Sequence, residues 1–151
     1  MSTTDHTVEY VTATIGGQLF GLPISSVQDV FMPERLTRVP LAAPEFAGML
    51  NLRGRIVTAL DMRLRLGLAP AEVGKARMAI GIESKGESYG LLIDAVGEVI
   101  RLSVGDLESN PVNLDARLAR VSAGVYRLDG NLLVVLDVDR VLDIGAHAEA
   151  A

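Results

Sequence analysis

Few residues in this chain could do covalent chemistry. The two histidines, His6 and His147, sit near opposite ends of the sequence. A general base needs a fixed position within hydrogen-bond reach of its substrate, and terminal segments are usually mobile, so neither reads as catalytic. There is no cysteine, which removes thiol nucleophiles, disulfides and thiolate metal sites. GxSxG, HExxH and the phosphate-loop pattern GxxxxGK followed by Ser or Thr are all absent. The glycines stand singly or in turn pairs, which leaves no phosphate-cradling loop, and no pair of carboxylates stands out as an acid–base couple. The expectation is a protein that is not an enzyme, with no catalytic residue, cofactor or metal.

What remains is charge placed for binding. Arg53, Arg55, Arg63 and Arg65 form a local basic cluster broken by Asp61. A guanidinium can hold a partner's carboxylate through two parallel hydrogen bonds. The whole chain carries 14 basic against 19 acidic residues, a formal charge of −5, and only 4% aromatics. It therefore lacks the cationic surface and stacking platforms that nucleic-acid binding needs, and the cluster reads as a protein-docking face or a solvated one. Phe31-Met32 and Met49-Leu50 lie beside expected turns and belong either to the core or to an apolar docking surface.

The elements that must position these residues are mostly strands. A length of 151 residues favours one compact unit, and 49% apolar residues supply a core built mainly from Val, Leu and Ile. Val11, Ala13 and Ile15 alternate with polar neighbours, the period of a half-buried strand. Gly16-Gly17 suits a tight hairpin, and Phe20, Leu22 and Ile24 share one face of the return strand. Ser25 sits where a helix N-cap would, before a single helical turn. Pro44-Glu45-Phe46 reads as a short helix start. Further strands are expected over Arg55–Leu60, Met78–Glu83, Ser88–Ile93, Val99–Leu102, Val125–Leu128 and Leu132–Leu136. The turns between them are Asn51–Gly54, Lys85-Gly86 and Asp129-Gly130. GLAPAEVGK (67–75) is a connector, and a last short helix is expected from about Asp137 to Asp143. The polar amino terminus has no secretory h-region, and runs such as Leu132–Leu136 fall far short of the ~20 residues that span a bilayer. A soluble cytoplasmic domain is expected.

Two blocks of this chain recur. Leu19–Val30 (LFGLPISSVQDV) matches Ser88–Val99 (SYGLLIDAVGEV) at a displacement of 69 positions. Gly48–Met62 (GMLNLRGRIVTALDM) matches Gly124–Val138 (GVYRLDGNLLVVLDV) at 76. The difference places a seven-residue insertion in the second unit, within Ser103–Leu118. Two similar all-β units of roughly 70 residues follow. Each is small for an independent core, so they should share apolar surface, and each could close into a small barrel without exposed edges. Residues common to both halves serve the shared backbone, including Asp61 and Asp137 as caps or turns. Arg53, by contrast, aligns with Asp129, so the backbone alone does not demand its charge. Either the turn accepts both signs, or Arg53 faces a partner.

NLRGRIVTALDMR (51–63) resembles the signature of the CheW family, the bacterial chemotaxis coupling proteins. GLPISSVQDV, PEFAGMLNLRG and YGLLIDAVGEVIRL are similar to further family segments, and order and spacing agree from about Tyr10 to Leu142. Thr58 and Phe31 depart from the proline and the charged residue common in the family. The resemblance implies an all-β fold of two pseudo-repeated five-stranded SH3-like barrels packed together, with short helices. It implies a single domain over residues 8–144, with barrel regions of about 15–70 and 78–142 that exchange strands in part, and flexible tails at 1–7 and 145–151. It further implies a scaffold that joins the cytoplasmic tips of methyl-accepting chemoreceptors to the regulatory domain of the histidine kinase CheA. Such a protein acts by binding alone, in the cytoplasm, at membrane-associated receptor arrays. With only this one module, the chain is similar to the free-standing adaptor. The alternative is a CheW-like coupling protein of a non-flagellar chemosensory pathway serving surface motility or a cyclic-nucleotide output. By motif, Val27, Arg53, Met78 and Tyr89 would face the receptor, and Asp29, Val30 and Gly48 the kinase. Neither nucleic acid nor membrane insertion is implied.

Overall fold

The structure is a computed structural model that describes residues 6–33, 36–37, 44–52, 54–72 and 77–143. Arg53, residues 73–75 of the connector and residues 145–151 lie outside the described residues. In chain order the strands are β1 (Thr7–Ile15), β2 (Gln18–Pro23), β3 (Val27–Phe31), β4 (Leu36–Thr37), β5 (Phe46–Leu52) and β6 (Arg55–Asp61), followed by helix α1 (Met62–Arg65). The second half runs β7 (Met78–Ser84), β8 (Glu87–Ile93), β9 (Ala95–Ser103), α2 (Ala116–Val121), β10 (Ser122–Leu128), β11 (Asn131–Leu136) and α3 (Val138–Val141). Single helical turns at Ile24–Ser26 and Val104–Asp106 complete the elements.

Neither sheet belongs to one half of the sequence. Sheet I has the order β10-β11-β2-β1-β9, and sheet II the order β3-β7-β8-β6-β5-β4. Each sheet thus combines the first hairpin of one half with the later strands of the other. Four pairings cross between halves: β1–β9 and β3–β7 are antiparallel, while β6–β8 and β11–β2 are parallel and share one register, Thr58 with Tyr89 in sheet II and Val134 with Phe20 in sheet I. Those residues are twins at displacements of 76 and 69. Each sheet also closes the same way. In sheet II the chain leaving β3 returns as β4 to pair with Met49 and Leu50 of β5; in sheet I Glu108, beyond β9, exchanges both backbone hydrogen bonds with Val125 of β10. Even the bulges repeat, between Phe46 and Gly48 and between Ser122 and Gly124. Gly48 and Gly124 adopt φ 144° and 143°, a region that favours glycine.

Alternation along the strands divides the interior into three. One shared layer lies between the sheets and holds Ile15, Phe20 and Leu22 of the first hairpin with Ile80, Ile82, Leu91 and Ile93 of the second; Leu60, Val125, Val134 and Leu136 join them. The opposite faces fill each barrel separately: Tyr10, Tyr126, Leu133 and Val135 in barrel I, and Leu50, Val57, Ala59, Ala79 and Leu92 in barrel II. Strands such as β8 read as continuous apolar runs because both of their faces are buried. In barrel I the rings of Tyr10 and Tyr126 meet edge to face at 5.4 Å, and their hydroxyls are 3.0 Å apart. Burial, then the bond to Tyr10, pushes the Tyr126 phenol well above its ordinary range, so it stays neutral.

Three sequence readings need correction. Pro44 and Glu45 form a turn and Phe46 already belongs to β5, because the Glu45 carbonyl is taken by the Asp61 N–H at 2.7 Å. Val121 and Asp137 make the twin bond at 2.8 Å. Ser25 caps nothing: its helical turn begins at Ile24, behind Pro23, with no side-chain cap. β9 is longer than Val99–Leu102 because β1 pairs along it from Ala95 to Ser103. Asp61 and Asp137 do cap α1 and α3 through their carboxylates.

The basic cluster is dispersed as well. The Arg63 guanidinium donates to both oxygens of Asp94, at 2.8 and 2.7 Å, and Asp94 also accepts the Gly16 N–H at 2.8 Å. Arg65 donates to the carbonyls of Val141 and Arg140 at the end of α3. Arg55 reaches the Ser88 hydroxyl. These arginines bind the halves together because partly buried carbonyls and carboxylates need a donor. The Arg63 guanidinium, then the Gly16 amide, hold the Asp94 carboxyl below the usual carboxylate range.

Two predictions follow from this architecture. Leu91→Ala empties the centre of the shared layer and should cost about 2–5 kcal/mol while leaving a single unfolding transition in thermal and chemical melts. Asp94→Asn should cost about 1.5–3 kcal/mol at pH 7. A carboxyl whose folded pKa is depressed stabilises the fold above its unfolded value, about 3.9, and loses that contribution as the pH falls through the folded value. The stability gap between the wild type and Asp94→Asn, measured by denaturant titration, should therefore be full at pH 7 and shrink below about pH 4. A gap independent of pH would remove the clamp from the account.

Candidate docking surface

The described residues matched by motif to a receptor or a kinase all lie on sheet II. Val27, Asp29 and Val30 are on β3, Gly48 on β5, Met78 at the start of β7 and Tyr89 on β8. Residues opposite each other in register share a face. Met49, Thr58, Tyr89, Ile82 and Val27 therefore form one row across β5, β6, β8, β7 and β3. The row is buried at Ile82, half-buried at Val27, Tyr89 and Thr58, and open at Met49, which is 41% exposed. One step further out, Ile56 is 66% exposed. Met78 has the same facing but stands four residues from Ile82, about 13 Å along the strand. It packs on the shared layer, so Val27 and Tyr89 are brought together and Met78 is not.

The twin row in sheet I shows what is particular here. Val125, Val134 and Phe20 occupy the places of Met49, Thr58 and Tyr89, and all three are buried. The same backbone position is thus sealed in one barrel and open in the other. The paired apolar motifs split accordingly. Phe31 and Leu50 face the interior of barrel II, while Met32 and Met49 are exposed. Phe31 takes an apolar identity because it packs against that interior. Ile56 was not singled out by the sequence: an aliphatic residue in an alternating strand reads as core, and only the open end of the face exposes it.

β3 forms the edge of the sheet. Among the described residues its one strand neighbour is β7, and sheet edges are where a partner chain can add a strand. A bulge falls between Val27 and Asp29, the Asp29 carboxylate accepts the Val30 N–H at 2.9 Å, and Val30 is exposed. Gly48 is buried, so it shapes the bulge in β5 rather than offering a side-chain contact. Beside Val27 a cleft opens between the two barrels, lined by Ser26, Glu83, Ser84, Asp137 and Asp139. The Ser84 hydroxyl donates to Asp139 across it at 3.3 Å. Among the described residues no group of His, Cys, Asp or Glu could hold a metal ion, and no helix is long and apolar enough to cross a membrane. An apolar row beside a cleft and a strand edge is equipment for docking.

Comparison with known proteins agrees with this architecture. The chemotaxis protein CheW of Rhizobium meliloti (strain 1021) is 27% identical over 133 residues, covering 88% of this chain and 86% of that one. CheW of Thermotoga maritima is 27% identical over 135 residues, covering 89% and 87%. The crystal structure of the scaffolding protein TtCheW from Thermoanaerobacter tengcongensis superposes with a TM-score of 0.81 at 25% identity, over 92% of this chain and 94% of that one. The family model of the CheW-like domain matches residues 9–145. With the strand order, the duplicated halves and this match across nearly the whole length, the chain belongs to the CheW-like domain family.

Proposed function

We propose that this protein is a coupling scaffold that joins chemoreceptor tips to the regulatory domain of the histidine kinase CheA, and that it works by binding alone in the cytoplasm, at receptor arrays. The observation that carries the reading is the unequal pair of twin faces: one row is sealed at Val125, Val134 and Phe20, and the other is open at Met49 and half-buried at Thr58, Tyr89 and Val27, beside a cleft. A receptor helical tip lies along the open row, touching Val27 and Tyr89, with Met49 and Ile56 at its outer end. Arg53, which follows β5 in the chain, supplies a guanidinium for a receptor carboxylate. Met78 supports this surface from within the shared layer. The kinase domain meets the β3 edge through Asp29 and Val30, and Gly48 shapes the neighbouring strand. Signal passes when a receptor favours one geometry of the assembly, and the free energy comes from contacts that differ between the two states.

A pull-down with a receptor signalling tip and a CheA regulatory domain tests the whole reading, and capture of neither would overturn it. Arg53→Ala should weaken the receptor-tip titration by about 1–2 kcal/mol, roughly five- to thirtyfold, with an unchanged melt. Unchanged affinity would remove Arg53 from the site. Ile56→Glu places a charge on an exposed apolar position. Stability should stay within about 0.5 kcal/mol while receptor-tip affinity falls about tenfold; full affinity would move the receptor off the open row.

A further inference from the structure

The duplication supplies an internal control for packing. At each of four twin positions the interior of barrel II holds the smaller side chain: Ala79 against Tyr10, Leu50 against Tyr126, Val57 against Leu133, and Ala59 against Val135. Barrel I adds the Tyr10–Tyr126 hydroxyl bond, for which Ala79 and Leu50 have no counterpart. The glycines in the middle of the second strand of each hairpin report the same difference. A methyl group built on Gly21 would stand 2.9 Å from a Leu133 methyl, whereas on Gly90 the nearest atoms, of Phe31, Leu50 and Val57, lie at 3.5–3.7 Å. Barrel II thus has room for a carbon that barrel I lacks. The faces turned toward the shared layer differ in the same direction, since Met49 and Ile56 are exposed where Val125 is buried and Leu132 half-buried.

We infer that the β5–β6 hairpin is a separate opening unit, which detaches from the native fold ahead of its twin β10–β11. Its own inward side chains, Leu50, Val57 and Ala59, are smaller than Tyr126, Leu133 and Val135, and its Met49 and Ile56 are exposed; local opening free energy follows buried apolar contact. On the function proposed above, this hairpin bears the outer end of the receptor surface, so a partner meets a wall that adjusts while sheet I stays fixed. The opening itself is a property of the free protein, and its test needs no partner.

Native-state hydrogen exchange of the full chain, resolved by NMR, decides the matter. After correction for intrinsic rates, the ladder amides of β5 and β6 should exchange about tenfold or more faster than those of β10 and β11. Leu133→Val should quicken exchange in β10–β11 and leave β5–β6 unchanged, because the smaller opening does not disturb the interior of barrel I. Gly90→Ala should slow β5–β6 about two- to fivefold, because its methyl meets Leu50 and Val57 of that hairpin at ordinary contact distance, while Gly21→Ala quickens β10–β11. Equal protection of the two hairpins would overturn the inference. So would equal acceleration of both by Leu133→Val, or faster β5–β6 exchange in Gly90→Ala. If Leu133→Val does not fold, the wild-type comparison decides alone.

Discussion

The constraint on which the molecule depends is the shared apolar layer between its two sheets. A half of about 70 residues is too small to bury enough surface by itself. Here each half lends its first hairpin to the other's sheet, so Phe20 and Leu22 lie in the same layer as Leu91 and Ile93. Dividing the chain at its midpoint would break both sheets at once. The parallel pairings β6–β8 and β11–β2 follow directly, because parallel neighbours cannot be joined by a tight hairpin and are here brought together from different halves.

The backbone keeps the duplication closely, in register, bulges and ring closure, while the side chains depart from it. Those departures make the two equivalent faces unequal. Sheet I is sealed by Val125, Val134 and Phe20; sheet II leaves Met49 and Ile56 open at the end of the same row. The Tyr10–Tyr126 ring pair fills one barrel, and the exposed Met49 and Ile56 lie on the other.

Charge follows the same division. Arginines crowded together in sequence serve different structural ends: Arg63 grips Asp94, which accepts the Gly16 N–H of the first hairpin, and Arg65 holds the end of α3. The twins of this clamp are Asp139 in place of Arg63 and Ser25 in place of Asp94. Among the described residues the Asp139 carboxylate accepts from the Ser84 hydroxyl in the inter-barrel cleft, so the two equivalent positions differ in electrostatic character although their backbones match.

Much of this was legible before any coordinates. The displaced repeats revealed two related units, the alternation and turn pairs located most strands, and the family motifs implied the paired barrels and the scaffold role. These signals are local, or local twice over, and a linear chain carries them intact. The fate of Pro44-Glu45, the length of β9 and the partners of Arg63 and Arg65 depended on hydrogen bonds to distant residues, which no local pattern encodes. The exposure of Ile56 against the half-burial of its twin Leu132 depended on packing across the strand instead. Sequence alone determined that this is a duplicated β module without visible catalytic equipment. Only the tertiary structure decided which of two equivalent faces stays open, because burial is set by what packs across from a strand and not by the strand's own residues.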